Sequence, residues 1–139
     1  MKDGFKILDH PADLGVEARG KTLTEAFQNA AAGLMSVILD PATVELRETR
    51  QIELASVDFE QLLVKWLAEV LYFYDGLRFV PREFNITTLT RTGLSASIRG
   101  EQFSETRHRT RIDVKAITYH QIVVREEDGG GYVRVFLDI

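Results

Sequence analysis

Asp13-Leu14-Gly15-Val16-Glu17-Ala18-Arg19, followed by Gly20-Lys21-Thr22-Leu23-Thr24-Glu25-Ala26-Phe27, is the stretch in which the chain changes its hydrophobic period. Leu14, Val16 and Ala18 alternate with Asp13, Gly15, Glu17 and Arg19. Period two describes a half-buried strand, with Asp13 and Glu17 on its outward side. Gly20-Lys21 makes a turn, and Thr22-x-x-Glu25 has the form of a capping box. Behind it Phe27, Ala30, Ala31, Leu34, Val37 and Ile38 recur at helical spacing. The spacing predicts a helix from about Leu23 to Leu39 whose alanines allow close approach to a sheet.

On the N-terminal side, Phe5 to Leu8 reads as a short strand ending at Asp9-His10-Pro11. Pro11 has no N–H and biases His10 toward an extended backbone, so a bend or an edge is expected there. On the C-terminal side, Asp40-Pro41 closes the helix, residues 42–50 are a polar connection, and Gln51 to Val57 reads as a strand. Asp58 is an N-cap with Gln61 at the reciprocal position. Leu62, Leu63, Trp66, Leu67, Val70, Leu71 and Tyr74 form the apolar stripe of a second helix, closed by Asp75-Gly76. Tyr72-Phe73-Tyr74 within it reads as packing rather than as a ligand box.

Everything beyond reads as β-structure. Phe84–Thr90 and Leu94–Arg99 flank Arg91-Thr92-Gly93 as a hairpin, and Gly100 to Arg111 is a charged connection. Ile112 to Arg125 gives one or two strands, Asp128-Gly129-Gly130-Gly131 a hairpin turn, and Val133 to Ile139 the last strand. The expected fold is α+β: two helices packed on one face of a largely antiparallel or mixed β-sheet, a single two-layer domain spanning 1–139.

The 139 residues are 45% hydrophobic and 27% charged, the composition of an ordinary globular chain. Without cysteine there is no disulfide framework, thiol nucleophile or cysteine zinc site. A net charge of −4 speaks against a protein that binds nucleic acid over its whole surface. Met1-Lys2-Asp3-Gly4 leads into a strand without a signal-peptide core, and no apolar run has membrane length. A cytoplasmic protein with no membrane partner is the expectation.

Val133, Val135, Leu137 and Ile139 share one side of the last strand, which leaves Asp138 on the other, as Asp13 is on its own strand. If these strands are neighbours, two carboxylates converge, with the chain-end carboxylate of Ile139 adding a third negative group. Like charges so placed repel unless a cation sits among them. An all-oxygen set selects Ca²⁺ or Mg²⁺ over zinc. The plainer alternative is a pair of solvated strand aspartates, one of them paired with an arginine. Lys115, within Val114-Lys115-Ala116-Ile117-Thr118-Tyr119-His120, is either a functional lysine or a strand lysine lying along the surface. His10, His108 and His120 have no metal-binding spacing and read as hydrogen-bonded structural histidines. Arg107, Arg109, Arg111 and Lys115 form a basic segment. Segment 107–115 makes an RNA- or protein-binding module, or a chaperone, the rival reading.

The chain as a whole resembles the archease family. The resemblance rests on Asp9-His10-Pro11-Ala12-Asp13-Leu14-Gly15-Val16, Thr24-Glu25-Ala26-Phe27 with its alanine-rich helix, and Trp66-Leu67-Ala68-Glu69-Val70-Leu71-Tyr72. Gly100-Glu101, Val114 to His120 and the terminal Asp138-Ile139 continue it in the same order. It implies a metal-binding accessory protein, not an enzyme, whose partner is an RtcB-type RNA ligase in tRNA splicing and RNA repair. Such a protein promotes guanylylation of a ligase histidine, supports multiple turnover and broadens the triphosphates the ligase uses; RNA is contacted only indirectly. The implied metal residues are Asp13 and Asp138 with Ile139 beside them, and the implied functional lysine is Lys115. The implied cofactor is a divalent cation with oxygen ligands, Ca²⁺ ahead of Mg²⁺ or Mn²⁺. Pro11 and Ala68 depart from the family pattern, which commonly has threonine and asparagine there.

Overall fold

A computed structural model describes residues 4–9 and 13–139, Asp9 by its backbone alone. Among these residues the order is β1 (Phe5–Asp9), β2 (Asp13–Gly20), α1 (Leu23–Ile38), β3 (Glu48–Ala55), α2 (Phe59–Asp75), β4 (Phe79–Thr90), β5 (Gly93–Gln102), β6 (Ala116–Glu127) and β7 (Gly130–Asp138). The readings placed on Met1 to Asp3, His10, Pro11 and Ala12 lie outside the described residues.

Both predicted helix starts are capped by side chains. Thr22 Oγ1 accepts the Glu25 N–H at 3.1 Å and Asp58 Oδ1 accepts the Gln61 N–H at 2.7 Å. The reciprocal arms reach one residue further back than a capping box prescribes: Glu25 accepts from the Lys21 N–H and Gln61 from the Val57 N–H. The two helices are joined by the Trp66 indole N–H, which donates to the Phe27 carbonyl at 2.9 Å inside the core. Phe73 and Tyr74 are buried as packing residues, whereas Tyr72 turns outward.

The α+β class and the two packed helices stand as expected; the strands, all antiparallel, divide into two sheets, β1-β2-β7-β6 and β3-β5-β4. The reason lies in α1. Ala26, Phe27, Ala30, Ala31, Leu34 and Met35 leave it almost no solvent-facing side, and a helix apolar nearly all round must be covered all round. It packs on β1, β2 and β7 of one sheet and on β4 of the other, while α2 covers β6, β3 and β4.

Several strand boundaries differ from expectation, β3 running Glu48–Ala55 and β7 starting at Gly130, and three differences have a cause in the contacts. Strand β4 begins at Phe79 rather than Phe84, because Pro81 sits at a register shift that the pairing with β5 tolerates. Strand β5 runs on through Gly100 and Glu101, where a Cβ on Gly100 would collide with the Val80 carbonyl. Residues 112–115, expected as strand, precede β6 as irregular chain. That segment is tied down from outside: Arg111 N–H donates to the Ile38 carbonyl at 2.7 Å, and Thr110 bridges to Leu39.

Candidate metal centre

Strand β7 lies between β2 and β6, and its register sets Asp138 directly opposite Asp13 on one side and Ala116 on the other. Leu14, Val16 and Ala18 of β2 and Val133, Val135 and Leu137 of β7 are buried beneath the helices. Alternation therefore sends Asp13 and Asp138 together to the opposite face of the sheet. Directly opposed residues of an antiparallel pair have Cβ atoms about 4.5–5.5 Å apart, so the two carboxylates are neighbours. Asp13 is half-buried, and Asp138, Ile139 and Lys115 are exposed.

Lys115 joins them through its backbone: its N–H donates to the Asp138 carbonyl at 2.8 Å. Its placement corrects the expectation of a lysine inside a strand, since it stands one residue before β6. The break in strand pattern follows from the tethered segment that delivers it. Its ammonium forms no ion pair with any described residue.

The next row of the same face is apolar. Leu8, Gly15, Phe136 and Thr118 are in register. A Cβ at Gly15 would stand 3.0 Å from both Leu8 Cβ and Phe136 Cε1, so the glycine is what admits the ring. His120 meets Phe136 edge-on at 5.7 Å. Between Thr118 and Val123 strand β6 bulges, with Gln121 at φ 50, and the Gln121 carbonyl accepts two hydrogen bonds from Arg134. Glu17 is engaged elsewhere, accepting from the Tyr132 hydroxyl at 3.0 Å. Burial, then that bond and the Glu17 charge, push the Tyr132 phenol up. Arg19 and Arg125 each lie 4.5 Å from the Tyr132 ring centroid, and both reach Glu127.

The donor set suits a hard cation. Two carboxylates opposed across strands destabilise each other, and a divalent ion between them reverses that sign. Both donors are oxygens, with Ile139 adjacent, and neither thiolate nor imidazole from a described residue joins them. Among the described residues no set of three or more His, Cys, Asp or Glu side chains converges. A cation held here would need its remaining donors from main chain, solvent or a partner.

A second polar cluster carries no periodic signal: sequence reasoning names Gly100-Glu101, Arg107 of the basic segment and His108 as a hydrogen-bonded structural histidine, but does not bring them together. Glu101 is 2% exposed and accepts hydrogen bonds from Glu45 N–H, both terminal nitrogens of Arg107, and His108 Nε2. Ser104 N–H donates to His108 Nδ1 at 2.9 Å, so the ring proton is on Nε2 and is given to Glu101. Burial pushes the Glu101 carboxyl up, but the bonds from Arg107, Glu45 N–H and His108, with the Arg107 charge, outweigh it and hold it at about 2. Arg111 meanwhile donates to the Ser36 carbonyl and faces Asp40. Two of the four basic residues in the 107–115 segment are thus committed to holding it down, which weakens its reading as an RNA-binding patch. Ala68 is exposed on α2, in a shallow groove with Glu53, Leu54, Lys65 and Glu69.

Comparison with known proteins matches residues 5–139 to the model of the archease protein family (MTH1598/TM1083). Protein archease of Sulfolobus acidocaldarius is 34% identical over 136 residues, covering 97% of this chain and 98% of that protein. Protein archease of Saccharolobus islandicus (strain M.14.25 / Kamchatka #1) is 39% identical over 139 residues, with 97% and 98% covered. The solution structure of Methanobacterium thermoautotrophicum protein 1598 superposes with a TM-score of 0.81 at 35% identity, covering 99% of each chain. The crystal structure of a Thermotoga maritima archease, described there as a possible chaperone, shares the fold with a TM-score of 0.67 at 17% identity over 96% of each chain. Family model, relatives and fold agree along nearly the full length, and the chain belongs to the archease protein family.

Proposed function

We propose that this chain is a metal-binding accessory protein of an RtcB-type RNA ligase, which promotes guanylylation of the ligase and sustains its turnover in tRNA splicing and RNA repair. It is a cytoplasmic factor rather than a catalyst. Asp13 and Asp138, with Ile139 beside them, hold one divalent cation, Ca²⁺ ahead of Mg²⁺ or Mn²⁺, and Lys115 acts toward the ligase. The observation that carries this reading is the register pairing of Asp13 with Asp138, with the Lys115 peptide bonded to Asp138. When bound, the cation supplies a fixed positive charge. Lys115 is exposed and bonded through its backbone N–H to Asp138, which supports a flexible ammonium within reach of that charge. The deciding experiment measures ligase guanylylation with and without this protein, in calcium and in chelator. Stimulation that needs both the metal and Lys115 supports the reading; a ligase indifferent to the protein overturns it.

A further inference from the structure

The segment that ends at Lys115 also walls a recess built from residues that the carboxylate pair does not use. Arg78, Phe103, Glu105, His108, Arg109 and Thr110 line a cavity of about 460 Å³, a size that suits a small molecule. Two guanidiniums stand against one carboxylate in this lining. Among the described residues Arg78, Arg109 and Glu105 form no ion pair. In a protein of net charge −4, two arginines without an ion pair at one recess are a local excess of positive charge, although Asp75 and Asp113 act on the adjoining Tyr74.

The backbone of Arg78 makes the placement more specific. Its φ is 54, in the left-handed region that glycine fills without strain and a long side chain does not. Gly76, two residues earlier at the helix end, sits at φ −89 instead. The conformation is held by Phe103 N–H donating to the Arg78 carbonyl at 2.7 Å. It lays the guanidinium 4.2 Å from the Phe103 centroid and 5.3 Å from that of Tyr74. Phe103 in turn lies against the His108 ring, which Glu101 and Ser104 fix. Stacking immobilises the flat face of Arg78 and one edge donor is engaged by the Tyr74 hydroxyl, which leaves its remaining edge donors for a ligand, the orientation in which arginine grips tetrahedral anions.

We infer that this recess binds a phosphate group, either free or as the monoester of a small molecule. Arg78 and Arg109 supply the charge and the forked donors, Thr110 adds a hydroxyl, and Glu105 opposes the anion and limits affinity. The volume beyond one phosphate leaves room for the rest of an ester. This inference is independent of the ligase and metal assignment.

The test is calorimetric titration of the full chain with inorganic phosphate, pyrophosphate and adenosine monophosphate, beside an RNA oligonucleotide lacking terminal phosphates. Saturable binding of at least one phosphate compound is expected, with Arg78→Gly and Arg109→Gln each weakening it about tenfold or more and Glu105→Gln strengthening it. Arg78→Gly suits its own backbone, so a normal melting curve should accompany the lost affinity; Arg109→Gln gives a second reading at an ordinary backbone position. Tighter binding of the monophosphate than of inorganic phosphate assigns the ester, and the reverse assigns the free ion. The inference is overturned by absent saturation up to about 10 mM of every phosphate compound, by affinity unchanged in both arginine variants, or by binding of the oligonucleotide alone.

Discussion

Replacing Glu101 tests whether the buried carboxylate is what holds the 103–115 segment, and through it Lys115, in place. In Glu101→Gln the amide oxygen can replace Oε2, which takes Glu45 N–H, His108 Nε2 and one Arg107 nitrogen. The amide nitrogen then faces the other Arg107 nitrogen and Arg47, donors both. Arg107 is partly exposed and can turn to water, so the loss is about 1.5–3 kcal/mol, that of a hydrogen bond to a charged group. Glu101→Ala strands the His108 Nε2–H in the interior, takes the acceptor from the part-buried Glu45 N–H, and should cost ~3–5 kcal/mol. For a chain of this size that is a fall in melting temperature of about 10–20 °C, against about 5–10 °C for glutamine. The pH dependence has a definite sign. The folded carboxyl at about 2 lies below its ordinary 4.5, so its contribution is complete above the ordinary value and disappears as pH falls through the folded one. Wild type and Glu101→Gln should therefore differ fully at neutral pH and converge in acid. Amide exchange at Ser104 and His108 should speed up in both variants before global unfolding changes. An alanine variant that melts like wild type, or a gap independent of pH, would refute the argument.

Asp138→Asn removes one of two opposed like charges, so in chelator it should unfold no more easily than wild type, or gain ~0.2–1 kcal/mol. Excess Ca²⁺ should stabilise wild type by ~2.7 kcal/mol at a hundred times Kd and the variant far less; equal calcium shifts by calorimetry would remove Asp138 from the centre. Lys115→Ala should change unfolding by no more than about 0.5 kcal/mol while abolishing ligase stimulation. Lys115→Arg, assayed beside it, separates charge alone from a placed ammonium, and normal stimulation by the alanine variant would make Lys115 idle. Gly15→Ala should cost ~1–3 kcal/mol by pressing a methyl against Leu8 and Phe136, and an unchanged melt would mean that the ring moves aside freely.

How much of this was legible depended on whether a residue's environment is set by its neighbours in sequence. The alternation from Asp13 to Arg19 and the caps at Thr22 and Asp58 are local devices, and they read correctly. Asp13 and Asp138 could be placed on outward faces by period two, but nothing local makes β2 and β7 neighbours; that pairing is a tertiary fact. The second sheet went unread because the stripe of α1 was counted on one face, whereas its small residues are buried on two. Strand β4 begins five residues before the expected Phe84, and the extension holds Pro81 at a register shift that only the pairing with β5 reveals. The segment 103–115 has no period at all: Glu101, His108 and Ser104 determine its path by contacts that only the folded chain creates.

The central position of β7 has a consequence for the order of events during synthesis. Strands β1 and β2 leave the ribosome early, yet β2 keeps an open edge until β7, the last described strand to be made, inserts between it and β6. The closure joins segments more than a hundred residues apart, a slow step compared with forming the β6–β7 hairpin. Asp13 faces Asp138 only in a chain that has completed this step. A partner that reads the two carboxylates together therefore also reads that β7 has docked beside β2, and copies in which the sheet has not closed present it with nothing to recognise.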